Sequence, residues 1–124
     1  MHNAFEELLA LMKKNRQLSP WAKQLTLHSL SEEMIKEVRE FEETLSTQDY
    51  EHMKDEMGDV FMDLIHLMLL CEEQGLFKAQ EVIENTIEKL KRRKPFLMTG
   101  VVPTREEEHT VYRKDKEEEK KSKE

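Results

Sequence analysis

Four acidic residues form two pairs with helical spacing near the middle of this sequence. Glu37 precedes Glu40 by three positions, and Glu56 precedes Asp59 by the same step, sixteen positions after Glu40. A three-residue step in an α-helix turns about 300° and rises about 4.5 Å, so each pair lies on one side of its helix. Two such helices packed against each other would bring four carboxylates together.

A cluster of carboxylates needs positive partners, because like charges repel and raise one another's pKa. A hard divalent cation with oxygen ligands is the simplest partner, so we expect Mg²⁺, with Mn²⁺ as a substitute. Such a cation cluster points to phosphate chemistry. One bound ion would leave the four carboxylates with a charge of about −2, which would repel a phosphate substrate such as a nucleoside triphosphate. We therefore expect two or more ions, with basic groups on the far side of the phosphates.

Basic residues are concentrated at the end of a later predicted helix. This helix is predicted over about residues 78–93, and Lys89, Arg92 and Arg93 lie in its last turns before Pro95 stops it. Cations on a helix next to the acidic pairs would be suited to contact phosphate oxygens. With ions bridging the phosphates, water can attack in line, and no covalent protein nucleophile is required.

Both acidic pairs border apolar stripes that repeat at steps of three and four residues, which places them at the edge of a buried face. The helix that carries Glu37 and Glu40 is predicted to begin near Ser29 or Ser31, and only Ser29 has the spacing of a capping box. The helix that carries Glu56 and Asp59 is predicted over about residues 50–74. Glu33 and Asp63 lie on the same two edges, and Glu33 is either an outer acid of the site or a solvated residue.

The composition predicts an all-α fold. Among 124 residues there are three Gly and three Pro, and no long stretch alternates as a half-buried strand would. Four helices, the first over about residues 3–16, are expected to form a four-helix bundle within residues 1–103. Residues 104–124 are expected to be a charged tail, either disordered or a loosely attached helix. The helix predicted over about residues 50–74 is apolar almost all round beyond Asp63, so we expect a homodimer or homotetramer to cover it.

Charge and cysteine content exclude several classes of protein. The net charge of −7 argues against a nucleic-acid-binding domain, which would show a basic stripe. The densest apolar run, Leu64 to Cys71, is too short to span a membrane, and the amphipathic N-terminus does not look like a signal peptide. The single cysteine, Cys71, excludes an intramolecular disulfide. We therefore expect a soluble cytoplasmic protein.

Four segments resemble motifs of the MazG-like nucleotide pyrophosphohydrolases, in the same order and spacing over about residues 5–100. Residues 19–23, which read Ser-Pro-Trp-Ala-Lys, resemble the C-P-W-D-K/R motif that follows the family's opening helix. Residues 36–40 resemble its E-E-x-x-E signature, and residues 56–60 match its E-L-G-D motif. Residues 88–95 resemble its K-L-x-R-R-H-P ending.

The resemblance implies an all-α enzyme that uses Mg²⁺ to split nucleoside triphosphates into the monophosphate and pyrophosphate, as in the cleaning of nucleotide pools. It implies these metal ligands: Glu37, Glu40, Glu56 and Asp59. It implies these phosphate-contacting residues: Lys89, Arg92 and Arg93. Trp21 and Lys23 would lie near the nucleotide, with Trp21 either against the base or covering the helix ends.

The sequence departs from the family motifs at several positions. Lys36 replaces the first Glu of the signature, Ser19 and Ala22 replace Cys and Asp, and Lys94 replaces His. These changes leave the implied metal ligands in place and leave the base preference open. Two alternatives also stay open. One is a non-catalytic helical dimer that binds a partner protein through its acidic groove, and the other is a hydrolase of the same fold that acts on a phosphoribosyl nucleotide.

Overall fold

A computed structural model describes residues 3–123, and all regular structure in this range is helical, which confirms the predicted all-α class. The helices of the described range are α1 (Ala4–Leu18), α2 (Pro20–Lys23), α3 (Leu27–Thr44), α4 (Tyr50–Glu73), α5 (Ala79–Arg93), α6 (Phe96–Thr99) and α7 (Arg105–Ser122). The chain divides after Ala79 into two compact units. No helix within residues 3–123 is both long enough and apolar enough to cross a lipid bilayer.

The first unit is organised around the helical hairpin of α3 and α4. The two helices run antiparallel after a short turn, in which the Thr47 hydroxyl donates to the Thr44 carbonyl at 2.8 Å. Asp49 caps α4 by accepting from the His52 backbone N–H at 3.1 Å. Helix α1 packs against α4. This arrangement places the acidic edge of α3 beside the acidic edge of α4.

Helix α3 begins earlier than predicted. Its N-cap is Thr26, whose hydroxyl accepts from the Ser29 backbone N–H at 3.1 Å. The Ser29 hydroxyl in turn accepts from the Thr26 backbone N–H at 2.9 Å. The predicted start at Ser29 or Ser31 is therefore wrong, because Ser29 acts as the third residue of a capping box and not as the cap.

The core of the first unit lies between α1 and the second half of α4. Met12, Ile65 and Leu69 are its buried members, and Leu8 and Met68 are among the residues that pack around them. Ile65 is 0% exposed, so α1 covers one side of the segment that the sequence showed to be apolar almost all round.

Another face of the α3–α4 hairpin stays uncovered within the described part of the first unit. Met57 is 56% exposed and Leu64 is 43% exposed. They belong to an apolar groove of about 520 Å³, lined by Val38, Phe41, Met57, Gly58, Val60, Phe61 and Leu64. The expectation of a homodimer or homotetramer rests on such surface and stays a prediction.

The second unit contains the rest of α5, then α6 and α7. The sequence left a disordered tail and a helix open for residues 104–124, and the structure has helix α7 over Arg105–Ser122. A capping box begins it: the Thr104 hydroxyl accepts from the Glu107 backbone N–H at 3.1 Å, and the Glu107 carboxylate accepts from the Thr104 N–H at 3.3 Å. The domain boundary after residue 103 stays a prediction.

Candidate metal and nucleotide site

Three of the four predicted acids meet between α3 and α4. Glu37, Glu56 and Asp59 each offer one carboxylate oxygen, and these three oxygens lie within 4.8 Å of one another. Glu56 is 8% exposed, while Glu37 and Asp59 are half-buried. The packing of α3 against α4 brings this about, because it turns the acidic edges of the two helices towards each other. It does so although stripe residues such as Val38 and Met57 stay exposed, so the predicted burial of the stripes is incomplete.

Glu40 lies beside this group of three rather than within it. Its carboxylate is close enough to hydrogen-bond with Glu37 when one of the two holds a proton, and its charge helps to raise the pKa of Asp59. It is half-buried, like Glu37. The predicted pair on α3 is therefore divided between a central member and a peripheral member.

The central carboxylates keep oxygens that find no hydrogen-bond donor among the described residues. Oε2 of Glu37 and Oε2 of Glu56 are both buried, and neither accepts a hydrogen bond from a described residue. The other oxygen of Glu56 lies 3.2 Å from Nε2 of His52, one helical turn earlier. Buried carboxylate oxygens without donors are costly, and a divalent cation would satisfy them. The donor set is all oxygen, so the residues present fit a hard ion.

Burial and mutual repulsion shift the pKa values of these acids upwards. Burial, together with hydrogen bonds between protonated Glu37 and its neighbours, raises the pKa of Glu37 to about 8. Those neighbours are Glu56, Glu40 and Glu33. Burial also raises the pKa of Asp59, followed by the negative charges of nearby acids. A cation that binds here therefore displaces a proton near neutral pH.

Two further acids extend the site along the hairpin. Burial, followed by the charges of Glu33 and Asp59, raises the pKa of Asp63 to about 6. Oδ2 of Asp63 is buried and has no hydrogen-bond partner among the described residues. Glu33 is exposed but close enough to affect both Glu37 and Asp63. Helical spacing predicted the correct edges for Glu33 and Asp63, but only the fold shows that they lie in line with the central acids. We call this line of carboxylates the acidic row: Glu33, Glu37, Glu40, Glu56, Asp59 and Asp63.

The predicted nucleotide-contacting residues of the connector lie on the short helix α2. Ser19 ends α1 and caps α2, since its hydroxyl accepts from the Ala22 backbone N–H at 3.1 Å. Ala22 is 2% exposed and anchors the turn, whereas Trp21 is 79% exposed and Lys23 is also exposed. Trp21 therefore does not cover the helix ends within the described chain, and its indole is open to a ligand.

The predicted phosphate-contacting residues lie together on α5 in the second unit and are paired with α7. Asp115 accepts from Nε of Arg92 at 3.0 Å and from Nε of Arg93 at 3.2 Å. Glu119 accepts from Arg93 at 3.1 Å and lies 3.3 Å from Nζ of Lys89. The sequence predicted the group of cations but not these partners.

Sequence comparison links the chain to one family. Residues 25–98 match the MazG nucleotide pyrophosphohydrolase domain. The nucleoside triphosphate pyrophosphohydrolase/pyrophosphatase MazG of Thermotoga maritima is 36% identical over 95 residues, which cover 73% of this chain and 36% of that protein. An uncharacterized protein, YabN of Bacillus subtilis, is 35% identical over 82 residues, covering 66% of this chain and 17% of that protein. The chain thus spans about a third or less of the length of these curated relatives.

Structural comparison agrees at the level of the fold. The crystal structure of a MazG-related protein from Thermotoga maritima superimposes with a TM-score of 0.84 at 22% identity. The superposition covers 90% of this chain and 98% of the other. The family match covers more than half of the chain and includes the clustered carboxylates of α3 and α4. The chain belongs to the MazG nucleotide pyrophosphohydrolase family.

Proposed function

We propose that this chain hydrolyses nucleoside triphosphates to the monophosphate and pyrophosphate, with Mg²⁺ as its cation, and that it works as a homodimer or homotetramer in the cleaning of nucleotide pools. Mn²⁺ is expected to substitute for Mg²⁺. The observation that carries the proposal is the meeting of Glu37, Glu56 and Asp59, whose oxygens lie within 4.8 Å in a member of this family.

The acidic row holds the cations in this proposal. Glu37, Glu56 and Asp59 are the central ligands, and Glu40 completes the set from the side. When bound, two or more ions would neutralise phosphate oxygens and lower the pKa of water, which the side chains alone cannot do. Glu37 would give up its proton as the ions arrive, so all four carboxylates would be charged in the loaded site.

Basic and aromatic residues handle the substrate. The cations of α5 would offset the charge that gathers on the departing pyrophosphate, and guanidinium groups suit this role because they donate in a planar fork. These residues are Lys89, Arg92 and Arg93. On α2, Trp21 would stack on the base, and Lys23 would contact the nucleotide. An exposed indole is suited to a stacking role, since every base has a π-face.

The test is pyrophosphate release from the eight common ribo- and deoxyribonucleoside triphosphates, with and without Mg²⁺. Glu56→Gln should abolish turnover while preserving helicity, because it removes the most buried central ligand. Glu43→Gln, on an exposed position of α3, is the matched control and should stay active. Full activity in Glu56→Gln would overturn the assignment.

The alternatives predict different results in the same experiments. A non-catalytic dimer would release no pyrophosphate, and calorimetry would show no coupled binding of Mg²⁺ and a non-hydrolysable nucleotide. A hydrolase for phosphoribosyl nucleotides would be silent towards all eight triphosphates and active on those substrates instead.

A further inference from the structure

Arg16 joins three parts of the first unit with one guanidinium group. It lies in the last turn of α1, and its side chain is only 15% exposed. Its Nε donates to one carboxylate oxygen of Glu73 at 3.0 Å, and a terminal nitrogen donates to the other at 3.3 Å. The remaining nitrogen donates to the Ala22 carbonyl and, at 3.4 Å, to the Leu25 carbonyl.

These contacts fix the segment that carries Trp21 and Lys23. Helix α2 has four residues, and a helix of one turn is not stable without tertiary contacts. Its contacts are the buried methyl group of Ala22 and the hydrogen bonds from Arg16 to the carbonyls at its C-terminal end. Because Trp21 and Lys23 flank Ala22, their direction depends on this anchor.

We propose that Arg16 is a positioning residue that sets the direction of Trp21 and Lys23 towards the nucleotide. It acts through α2 and touches no reacting group. The proposal rests on the proposed function, in which these two side chains contact the substrate. Losing Arg16 should therefore weaken nucleotide binding and leave the chemical step unchanged.

The single tryptophan of the chain makes the test direct, since fluorescence excited selectively at tryptophan, beyond the absorption of the tyrosines, reports on α2 alone. Wild type, Arg16→Gln and Arg16→Lys are compared in the full chain, with Lys14→Gln, an exposed position of the same helix, as the control. Four quantities are measured below the unfolding temperature: fluorescence anisotropy, quenching by an α,β-methylene nucleoside triphosphate with Mg²⁺, kcat and KM.

We expect Arg16→Gln to lower the anisotropy and to raise both KM and the quenching Kd about tenfold, the size expected when a base loses its stacking partner. Its kcat should stay within about twofold of wild type. Arg16→Lys keeps the positive charge and should recover part of the affinity. The recovery should be incomplete, because one ammonium group cannot reach both carbonyls and Glu73 together. Unchanged quenching in Arg16→Gln, or an equal loss of kcat with KM unchanged, would overturn the proposal.

A wild type that hydrolyses no triphosphate would contradict the proposed function on its own. The anisotropy and quenching measurements need no turnover, so they still decide whether Arg16 positions α2 for nucleotide binding.

The contacts between α5 and α7 support a second inference from different residues. Asp115 is 12% exposed and Glu119 is 18% exposed at the side chain, so both are largely enclosed by their cationic partners. Arg93 also lies over the ring of Tyr112, with 5.0 Å between the guanidinium carbon and the ring centroid. Carboxylate oxygens on paired guanidinium groups make the same charge-assisted hydrogen bonds that phosphate oxygens would make.

We infer that the carboxylates of α7 compete with pyrophosphate for the cationic side chains of α5. This competition lowers the affinity of the protein for pyrophosphate. This inference also rests on the proposed function, which assigns Lys89, Arg92 and Arg93 to the phosphates. A phosphate that takes these cations must displace Asp115 and Glu119, which would loosen α7 from α5.

The test compares two full-length variants with the same change in net charge. Asp115→Asn with Glu119→Gln removes the competing carboxylates, and Glu117→Gln with Glu118→Gln removes two exposed ones from the same helix. Calorimetric titration with inorganic pyrophosphate, without metal, should give a Kd at least fivefold lower for the first variant than for the second. In wild type, pyrophosphate should speed tryptic cleavage within α7.

Equal affinity in the two variants, or no pyrophosphate binding in either, would overturn this inference and leave the ion pairs as a structural clamp. Hydrolysis by wild type is scored separately, so a failure of the proposed function is recognised by its own result.

Discussion

Replacing Glu37 by glutamine should make the stability of the protein, prepared without divalent cations, less sensitive to pH. Burial and hydrogen bonds to the neighbouring acids hold the pKa of Glu37 at about 8 in the folded chain, against an ordinary value of 4.5. The folded state therefore keeps a proton that the unfolded chain releases. Stability from this group is fully present below about pH 4.5 and is lost as the pH rises through 8. Glu37→Gln has no such proton to lose.

The size of the effect follows from the two pKa values and the exposure of the side chain. A rise from 4.5 to about 8 corresponds to at most about 5 kcal/mol, at about 1.4 kcal/mol per pH unit. Glu37 is only half-buried, so solvent screens much of this, and we expect about 1–2 kcal/mol. In a chain of this size, that lowers Tm by about 4–8 °C between pH 5 and pH 9.

Thermal unfolding followed by circular dichroism, in EDTA and at pH steps from 5 to 9, measures this directly. Wild type should lose Tm across the range relative to Glu37→Gln, and Glu43→Gln should behave as wild type. Adding Mg²⁺ at pH 8 should raise the Tm of wild type more than that of Glu37→Gln, because the ion replaces the repulsion that deprotonation creates. Parallel Tm curves for wild type and Glu37→Gln would refute the assignment of a retained proton to this carboxyl group.

Three smaller predictions test the support around the site. His52→Ala removes the contact to Glu56 and should raise the Mg²⁺ concentration needed for half-maximal activity about tenfold, while an unchanged requirement would show that His52 does not orient its neighbour. Ile65→Ala empties a fully buried position and should cost about 2–5 kcal/mol in urea unfolding; a loss below about 1 kcal/mol would mean that the core is elsewhere. Thr26→Ala should cost about 1 kcal/mol through the lost cap, while Ser31→Ala should cost less, and the reverse order would contradict the observed start of α3.

The meeting of the acids could be predicted because it depends on local periodicity. Apolar steps of three and four fix which edge of each helix carries Glu37 and Glu56, and a short turn forces the helices to run antiparallel. The peripheral place of Glu40 could not be read in this way, because it depends on side-chain rotamers and on the distance between the helices. Thr26 was missed as a cap since its partner is a serine rather than an acid.

Contacts between residues that are far apart in the sequence could not be predicted from local spacing. Arg16 and Glu73 are 57 positions apart, and nothing in the spacing of either residue identifies the other. The same holds for Arg93 and Glu119, which are 26 positions apart. For α7, the charge blocks left helix and disorder open, although Thr104 and Glu107 carry the spacing of a capping box.

The clustered carboxylates come from one continuous stretch of chain, since Glu37 and Asp59, the two ends of the cluster, are only twenty-two positions apart. Contacts this close in sequence require the closing of a short loop, for which the entropic cost is low. Folding dominated by near neighbours is fast, so the hairpin can form before the more distant pairing of Arg16 with Glu73. The acidic row is then assembled early, and a cation present during synthesis or refolding would meet its ligands in a nascent hairpin.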